Sequence, residues 1–470
     1  MSLIFWCVNS TWIVLAIAIF FPTLASATTP PKPQNSSSSL QVPDYLNPNP
    51  NPLQFPTKPE EVKVQQTVSI SLTQALELAQ RNNRDLQIAI LQLERSRSAL
   101  RESQAALFPT LGINGNLTNS GNGFRSNSSQ ASTSFNGSAQ LNYDLYTSGN
   151  REATIQAAEE QLRIDELNVE SSSLEIQLNV TTQYYDLLQA DEQVRINQSA
   201  VDNAQASLRD TEARENAGVG TGFDVLQAQV NLANAQQELT NAISQQQIAR
   251  RQLATVLSLA QSVNITASDP VKLAGLWEPT LEETIIQAFQ NRPELQQQLA
   301  QRNISEQQRR QALSQLGPQI SLAGSYSVRD RYDDGVSSSD SYSVGLQASL
   351  NLFDGGAARA RAAQSKANIA IAEVQFASQR DQIRFNVEQY YSQLQSNLNN
   401  VQTSSVALNQ ATQALDLARL RFQAGVGTQT EVIAAENDLT RAEGNRVTAI
   451  LDYNRALANL QRSVTSRASR

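Results

Sequence analysis

Twice along this chain the spacing of apolar residues switches from helical to alternating, each time just after a proline, Pro109 and Pro318. Before each switch, Leu72, Ala75, Leu76 and Ala79, and then Leu281, Ile285, Ile286 and Phe289, mark one apolar face of a short amphipathic helix. A second helix follows each, to about Leu107 and Leu316, and the prolines end it. Beyond the prolines the period is two. Leu111, Ile113, Gly115 and Leu117 alternate with Gly112, Asn114 and Asn116, and Phe135 to Leu145 repeats the pattern. Ile320, Leu322, Gly324, Tyr326 and Val328 form a third row, and Tyr342 to Leu352 a fourth. This predicts strands over about 110–118, 134–146, 319–328 and 341–353, each with one apolar face and one Asn, Gln and Ser face. Polar loops join them, Asn119 to Gln130 and Arg329 to Ser341.

The chain then turns at Thr147-Ser148-Gly149 and at Asp354-Gly355-Gly356 into two helices of about seventy residues, roughly 100 Å each at about 1.5 Å per residue. They end at Gly218 and Gly425, and a return helix of about forty residues follows each. The return helices carry a heptad seam: Val225, Ala228, Leu232, Ala235, Leu239, Ala242, Ala249, Leu253 and Val256, with Gln246 interrupting. The second copy reads Val432, Ala435, Leu439, Ala442, Ala449, Tyr453, Ala456 and Leu460, with Arg446 at the interruption. The seam predicts coiled-coil walls. A short and a return helix together match a long helix in length, so the natural packing stacks the two shorter ones beside the long one.

Two tips between these helices say the same thing. Arg214 to Leu226 reads RENAGVGTGFDVL and Arg421 to Ile433 reads RFQAGVGTQTEVI, 207 positions apart. An internal duplication follows, 67–260 and 280–465, joined by a linker over 261–279 and ended by a tail over 466–470. Asn82 to Leu86 (NNRDL) and Asn291 to Leu295 (NRPEL) are a further matching pair. Gly218 and Gly425 supply the positive φ that reverses a chain between antiparallel helices. Asp224 and Glu431 fall early in the following helices, where a carboxylate suits the N-terminal dipole. Capping alone accounts for one glycine and one acid. It accounts less well for the whole Arg, Gly and acid pattern occurring twice.

The alternating segments fit either a soluble half-buried sheet or a membrane sheet. Strand length suits a tilted bilayer crossing, and the helices offer no wide apolar face to cover such a sheet. Four strands cannot close a barrel, and an open edge in lipid leaves N–H and C=O groups without partners. Three copies would give twelve strands, an even number.

Composition narrows the chemistry. Among 470 residues, 40% are hydrophobic, 6% aromatic and 17% charged, a profile suited to elongated helices packed through small side chains. The net charge of −8 with no basic patch argues against nucleic acid. Histidine is absent and the single cysteine is Cys7. A His/Cys metal site, a Ser-His-Asp triad and a mature disulfide are therefore excluded, and no cofactor or enzymatic activity is expected. Residues 1–27 read as a secretory signal: an apolar run from Ile13 to Phe21, Pro22, then Ala25-Ser26-Ala27 as cleavage site, although no Lys or Arg precedes the run. The other reading is an uncleaved anchor helix, for which the run is short. Residues 28–66 hold nine of the fifteen prolines and are expected to be an extended tether that buries too little surface to fold.

With the leader, the duplication, two strand pairs and two AGVGT tips, the chain resembles the TolC-type outer-membrane efflux protein family over about 68–465. NRPEL and the Leu-Phe-Asp-Gly-Gly strand exit (Leu352 to Gly356) carry the resemblance further. It implies a mixed fold, a twelve-strand membrane β-barrel from four strands per chain continuous with a twelve-helix coiled-coil tunnel across the periplasm of a trimer. It implies a passive exit duct in the bacterial outer membrane for efflux or type I secretion, docked through a periplasmic adaptor to an inner-membrane pump. By the same resemblance the tips face the adaptor through Arg214, Gly218, Val219, Gly220, Asp224, Val225 and Leu226, and through Arg421, Gly425, Val426, Gly427, Val432 and Ile433. Glu431, with Asp224, would line the pore constriction and bias passage toward cations. The family's second acidic ring falls on Ala434, and the Tyr and Arg of its closing latch fall on Phe422 and Gly427, so only Asp224 of that latch remains. The reading from another class is an exported coiled-coil scaffold or adhesin, which explains the helices but not duplicated strand pairs between them.

Overall fold

The computed structural model describes residues 46–47, 51, 53–64, 66–121, 132–260, 262–332 and 338–465. The chain divides into two units, Met1–Val42, none of whose residues is described, and Pro43–Arg470, which holds everything below. The expected signal over 1–27, most of the tether and the tail over 466–470 lie outside the described residues.

In chain order the elements are α1 (Pro59–Val62), β1 (Gln66–Ile70), α2 (Leu72–Asn82), α3 (Arg84–Ala105), β2 (Thr110–Ser120), β3 (Ser132–Tyr146), α4 (Asn150–Asn216), α5 (Gly222–Val256), β4 (Val263–Ala267), α6 (Leu281–Asn291), α7 (Pro293–Ser314), β5 (Gln319–Arg331), β6 (Ser339–Ser349), α8 (Ala357–Gln423) and α9 (Gln429–Val464). The succession from α2 to α5 recurs from α6 to α9. Local chemistry recurs with it. Ser71 caps α2 and Thr280 caps α6 through reciprocal boxes with Gln74 and Glu283. Gly149 (φ 86°) and Gly356 (φ 88°) hold the left-handed turns that launch the two 67-residue helices. At the second of these Asp354 accepts from the N–H groups of Ala358 (2.6 Å) and Gly356 (2.9 Å), and these bonds hold its carboxyl below the usual range.

Strands β2, β3, β5 and β6 form one antiparallel sheet in that order. Register places Ile113 opposite Ala139, Ala139 opposite Tyr326 and Tyr326 opposite Tyr342. Leu111, Leu141, Gly324 and Val344 line up beside them, so one face of the sheet is continuously apolar. The other face is polar, with Ser325 Oγ 2.9 Å from Ser343 Oγ, Ser327 Oγ 2.8 Å from Ser341 Oγ, and Arg329 Nε donating to Asn136 Oδ1. The outer strands β2 and β6 are exposed at every residue.

Helix packing makes four columns. α3 and α5 pack against α4, while α7 and α9 lie between α4 and α8. The shorter helices meet end on: Asn83 Nδ2 donates to the Val256 carbonyl (2.9 Å) where α3 meets α5, and Asn291 Nδ2 to the Val464 carbonyl (2.7 Å) in the second half. Every seam residue named in α5 is buried or half-buried, and so is every one in α9, because these are the positions facing the long helices. Helix α9 buries more than its seam, including Ile450, Leu451 and Leu457, since it has a long helix on both sides. An apolar cluster, with Ile383, Val387, Leu394, Tyr453 and Leu460 at its centre, joins α6, α7, α8 and α9.

Two expectations need correction. The tether over 28–66 is not all free: Leu46 is 1% exposed, its carbonyl accepts from the Ala260 N–H, and Asn47 accepts from Arg81 and Asn82. A single leucine folds nothing by itself, but it can dock into a surface that the first half has already built. The linker over 261–279 contains β4, which pairs in parallel with β1. Among the described residues the expected four long strands thus form one sheet and this short pair a second, separate one. Each of the added pair is only five residues long, too short for its apolar alternation to stand out in sequence. The buried Tyr184 of α4 anchors the pair. Its hydroxyl lies 2.8 Å from Asp269 Oδ2 and 3.0 Å from the Ile70 carbonyl, and Asp269 Oδ2 also accepts from the Leu72 N–H. Burial, reinforced by the Asp269 bond, pushes that hydroxyl far above the ordinary tyrosine range.

Candidate functional site

Each tip is a five-residue reversal, 217–221 and 424–428, between a long helix and its return. Gly218 (φ 73°) and Gly425 (φ 75°) take the left-handed conformation expected of them. The second glycine of each tip has a different task. A Cβ on Gly220 would stand 2.9 Å from Glu215 N, and one on Gly427 3.0 Å from Phe422 N, so the returning backbone passes directly against the last helical turn. The two arginines are first of all carbonyl acceptors. Arg214 O accepts from the N–H groups of Val219 and Gly220, and Arg421 O from those of Val426 and Gly427, all at 3.0 Å. Any residue could offer that carbonyl, so the backbone does not explain why arginine stands there.

The side chains do, and they differ between the tips. The Arg214 guanidinium sits over the ring of Phe422, 4.6 Å from its centre, and so ties the first tip to the second. Arg421 instead turns to its own hairpin, with Nη2 3.8 Å from Glu431 Oε2. Both partners of that pair are about half exposed, so it contributes little to stability. Asp224 closes a capping box with Thr221: its Oδ2 accepts from Thr221 Oγ1 (2.7 Å) and Thr221 N (3.3 Å), and Thr221 Oγ1 accepts from Asp224 N. Thr428 caps α9 in the same way by accepting from the Glu431 N–H, yet the Glu431 carboxylate does not reach back, and it stays exposed. The capping explanation thus fits Asp224 fully and Glu431 only in part.

Val219, Val426 and Leu226 are exposed, while Ile433 is half-buried. Val225 and Val432, expected among the docking residues, are buried in the seams against the long helices, so they hold the hairpins together and present no surface.

Sequence reasoning missed a polar junction just above the tips. Gln429, 1% exposed, donates from Nε2 to Ser207 Oγ (2.8 Å), and Thr430 Oγ1 bonds Gln227. Arg419 Nη2 of α8 donates to Asn203 Oδ1 of α4 (2.9 Å) and to Glu436 Oε1 of α9 (3.2 Å). Asn231 of α5 donates to the other Glu436 oxygen. Glu436 is 5% exposed. Burial raises its carboxyl above the usual range, more than the Arg419 bond lowers it. Glu436 follows the seam residue Ala435 directly, which was the one signal available, and an acid beside a seam reads as solvated until a helix is placed on that flank.

Among the described residues no group of three or more His, Cys, Asp or Glu side chains could hold a metal ion, and no helix is long and apolar enough to cross a membrane. What the site presents is two hairpin ends, apolar at the crest through Val219 and Val426, with the acid Glu431 exposed on one.

Comparison with known proteins agrees with this picture. The sequence pattern of the family described as "Outer membrane efflux protein" matches residues 75–258 and 284–465. The outer membrane protein TolC of Escherichia coli (strain K12) is 24% identical over 405 residues, covering 82% of this chain and 80% of the relative. The pyoverdine export outer membrane protein OpmQ of Pseudomonas aeruginosa is 24% identical over 404 residues, covering 84% and 83%. In fold, the outer membrane protein VceC from Vibrio cholerae aligns with a TM-score of 0.71 at 19% identity, covering 84% of this chain and 95% of that one. The family match and the relatives TolC and OpmQ place this chain in the outer membrane, in efflux transport rather than enzymatic catalysis. The matched residues span nearly all of both halves of the duplication, so the chain belongs to the outer membrane efflux protein family.

Proposed function

We propose that three copies of the chain close into one conduit, a twelve-strand barrel in the outer membrane continuous with a twelve-helix tunnel in the periplasm. The conduit is a passive exit duct for efflux or type I secretion, docked by its tips to a periplasmic adaptor and an inner-membrane pump. The observation that carries this is the pair of open sheet edges: β2 and β6 are exposed throughout, and the sheet is apolar on one whole face. An apolar sheet with two free edges is stable neither in water nor in lipid unless another copy pairs with it. The helical columns repeat the argument. Ile88 and Leu91 on α3, and Ile371 and Val374 on α8, are all more than half exposed, on the outer columns of the same chain. One edge of each kind on either side is the requirement for a heterologous contact that closes by rotation.

The polar sheet face then lines the lumen, and Glu431, with Asp224 near it, lies at the constricted end. The purified protein should need detergent, run as an SDS-resistant trimer that heat dissociates, and form discrete channels in planar bilayers. Glu431→Ala should lower the preference for cations several-fold, and an unchanged preference would count against that residue alone. A water-soluble monomer would favour an exported scaffold and end the duct reading.

A further inference from the structure

The outer column helices carry apolar residues at the tip that their own chain leaves uncovered. On α5, Phe223, Leu226 and Val230 are each more than half exposed. On α8, Leu417 and Leu420 are as well. At about 100° per residue, the α5 stripe lies close to half a turn from the Val225, Ala228 and Leu232 seam that faces α4. The α8 stripe lies close to half a turn from Leu415, Ala418 and Phe422, which pack with Val432 of α9. The two stripes therefore point away from the chain, on its two opposite outer columns.

Both stripes lie within the two helical turns next to the tip. Phe223 and Leu226 are the second and fifth residues of α5, and Leu420 and Leu417 the fourth and seventh from the end of α8. Each pair is three residues apart, about 4.5 Å of rise, and the two pairs begin within about 3 Å of the same distance from their helix ends. We infer that Phe223 and Leu226 of one copy seat against Leu420 and Leu417 of the next, an apolar ladder that holds neighbouring tips together.

The occupant is a second copy of this chain, because the same two outer sides already carry the unpaired sheet edges β2 and β6. The ladder rests on the assembly proposed above. It adds that the tip contact between copies is apolar, with Gly427 contributing no side chain to it, so the contact should not weaken in high salt.

The test is cysteine crosslinking in the full-length protein, with the unsubstituted chain reading out any contribution from Cys7, its only native cysteine. Leu226→Cys together with Leu417→Cys should give disulfide-linked dimers and trimers on mild oxidation, equally at low and at high salt. Leu226→Cys with Val406→Cys, the latter eleven residues and about 16 Å farther from the tip than Leu417, should give at least ten-fold less. A heat-dissociable trimer without preferential crosslinking of the first pair would overturn the ladder and leave the duct standing, with the stripes then free for an adaptor. Absence of any trimer would overturn both.

Discussion

Gly220 and Gly427 are the tip residues whose chemistry is least replaceable. A methyl group on either would meet backbone, not a side chain that can swing aside. Gly427→Ala should cost about 1–3 kcal/mol locally, in the manner of an overpacked core. The expected outcome is faster hydrogen–deuterium exchange at the amide of Val426, which bonds Arg421 O, with the exchange of α8 near Ile383 unchanged. Equal protection in both proteins would show that the tip relaxes at no cost. Glu436 gives a second prediction at this scale. Its carboxyl is raised by burial, so the folded chain holds the proton more tightly than the unfolded chain does. Its contribution to stability is full below the unfolded value and is lost as pH rises through the folded one. Glu436→Gln, which keeps an oxygen for Arg419, should therefore melt higher than the parent near neutral pH, and the gap should close on acidification. A gap that widened toward acid pH would mean that the Arg419 pair dominates instead.

At the scale of elements, helical and strand periods arise from apolar spacing alone, and the last strand shows the limit of that signal: the alternation runs on to Leu352, while β6 ends at Ser349. The long helices begin at left-handed glycines and end at left-handed glycines, both visible in the sequence. The return-helix seams are likewise the positions that face the long helices. What periodicity could not supply was the joint between β1, β4 and α4. It needs Tyr184 and Asp269 to meet across 85 residues, and neither residue stands out where it is. Asp269→Ala should remove the acceptor shared by Tyr184 and the Leu72 N–H, leaving that N–H unpaired and the Tyr184 hydroxyl with the Ile70 carbonyl alone, at a cost of about 1–3 kcal/mol. Limited proteolysis should then cut first near 262–270, and a wild-type pattern would show that the joint is dispensable. The tip arginines teach a related point. Their repetition was legible, but their partners were not, since Arg214 reaches the other hairpin and Arg421 stays within its own.

For the whole molecule, the decisive feature is a sheet that is apolar on one face and open on both sides. A charge on the apolar face should be costly in lipid, about 2–4 kcal/mol for an arginine near the bilayer midplane. Leu346→Arg should thus reduce the yield of heat-dissociable trimer sharply, while Ser343→Arg on the polar face should assemble normally and alter conductance instead. Equal yields from both would mean that this sheet does not meet lipid. By itself the sequence determined the duplication, the two periods, the glycine reversals and the seams, because each depends on residues close together along the chain. Only the tertiary structure decided that Leu46 docks, that the linker strand pairs with the first strand, that Arg214 stacks on Phe422 and that Glu436 is buried. Those contacts join segments far apart in sequence, and a side chain's partner there is set by which helix lies beside it, a relation that spacing along one chain does not encode.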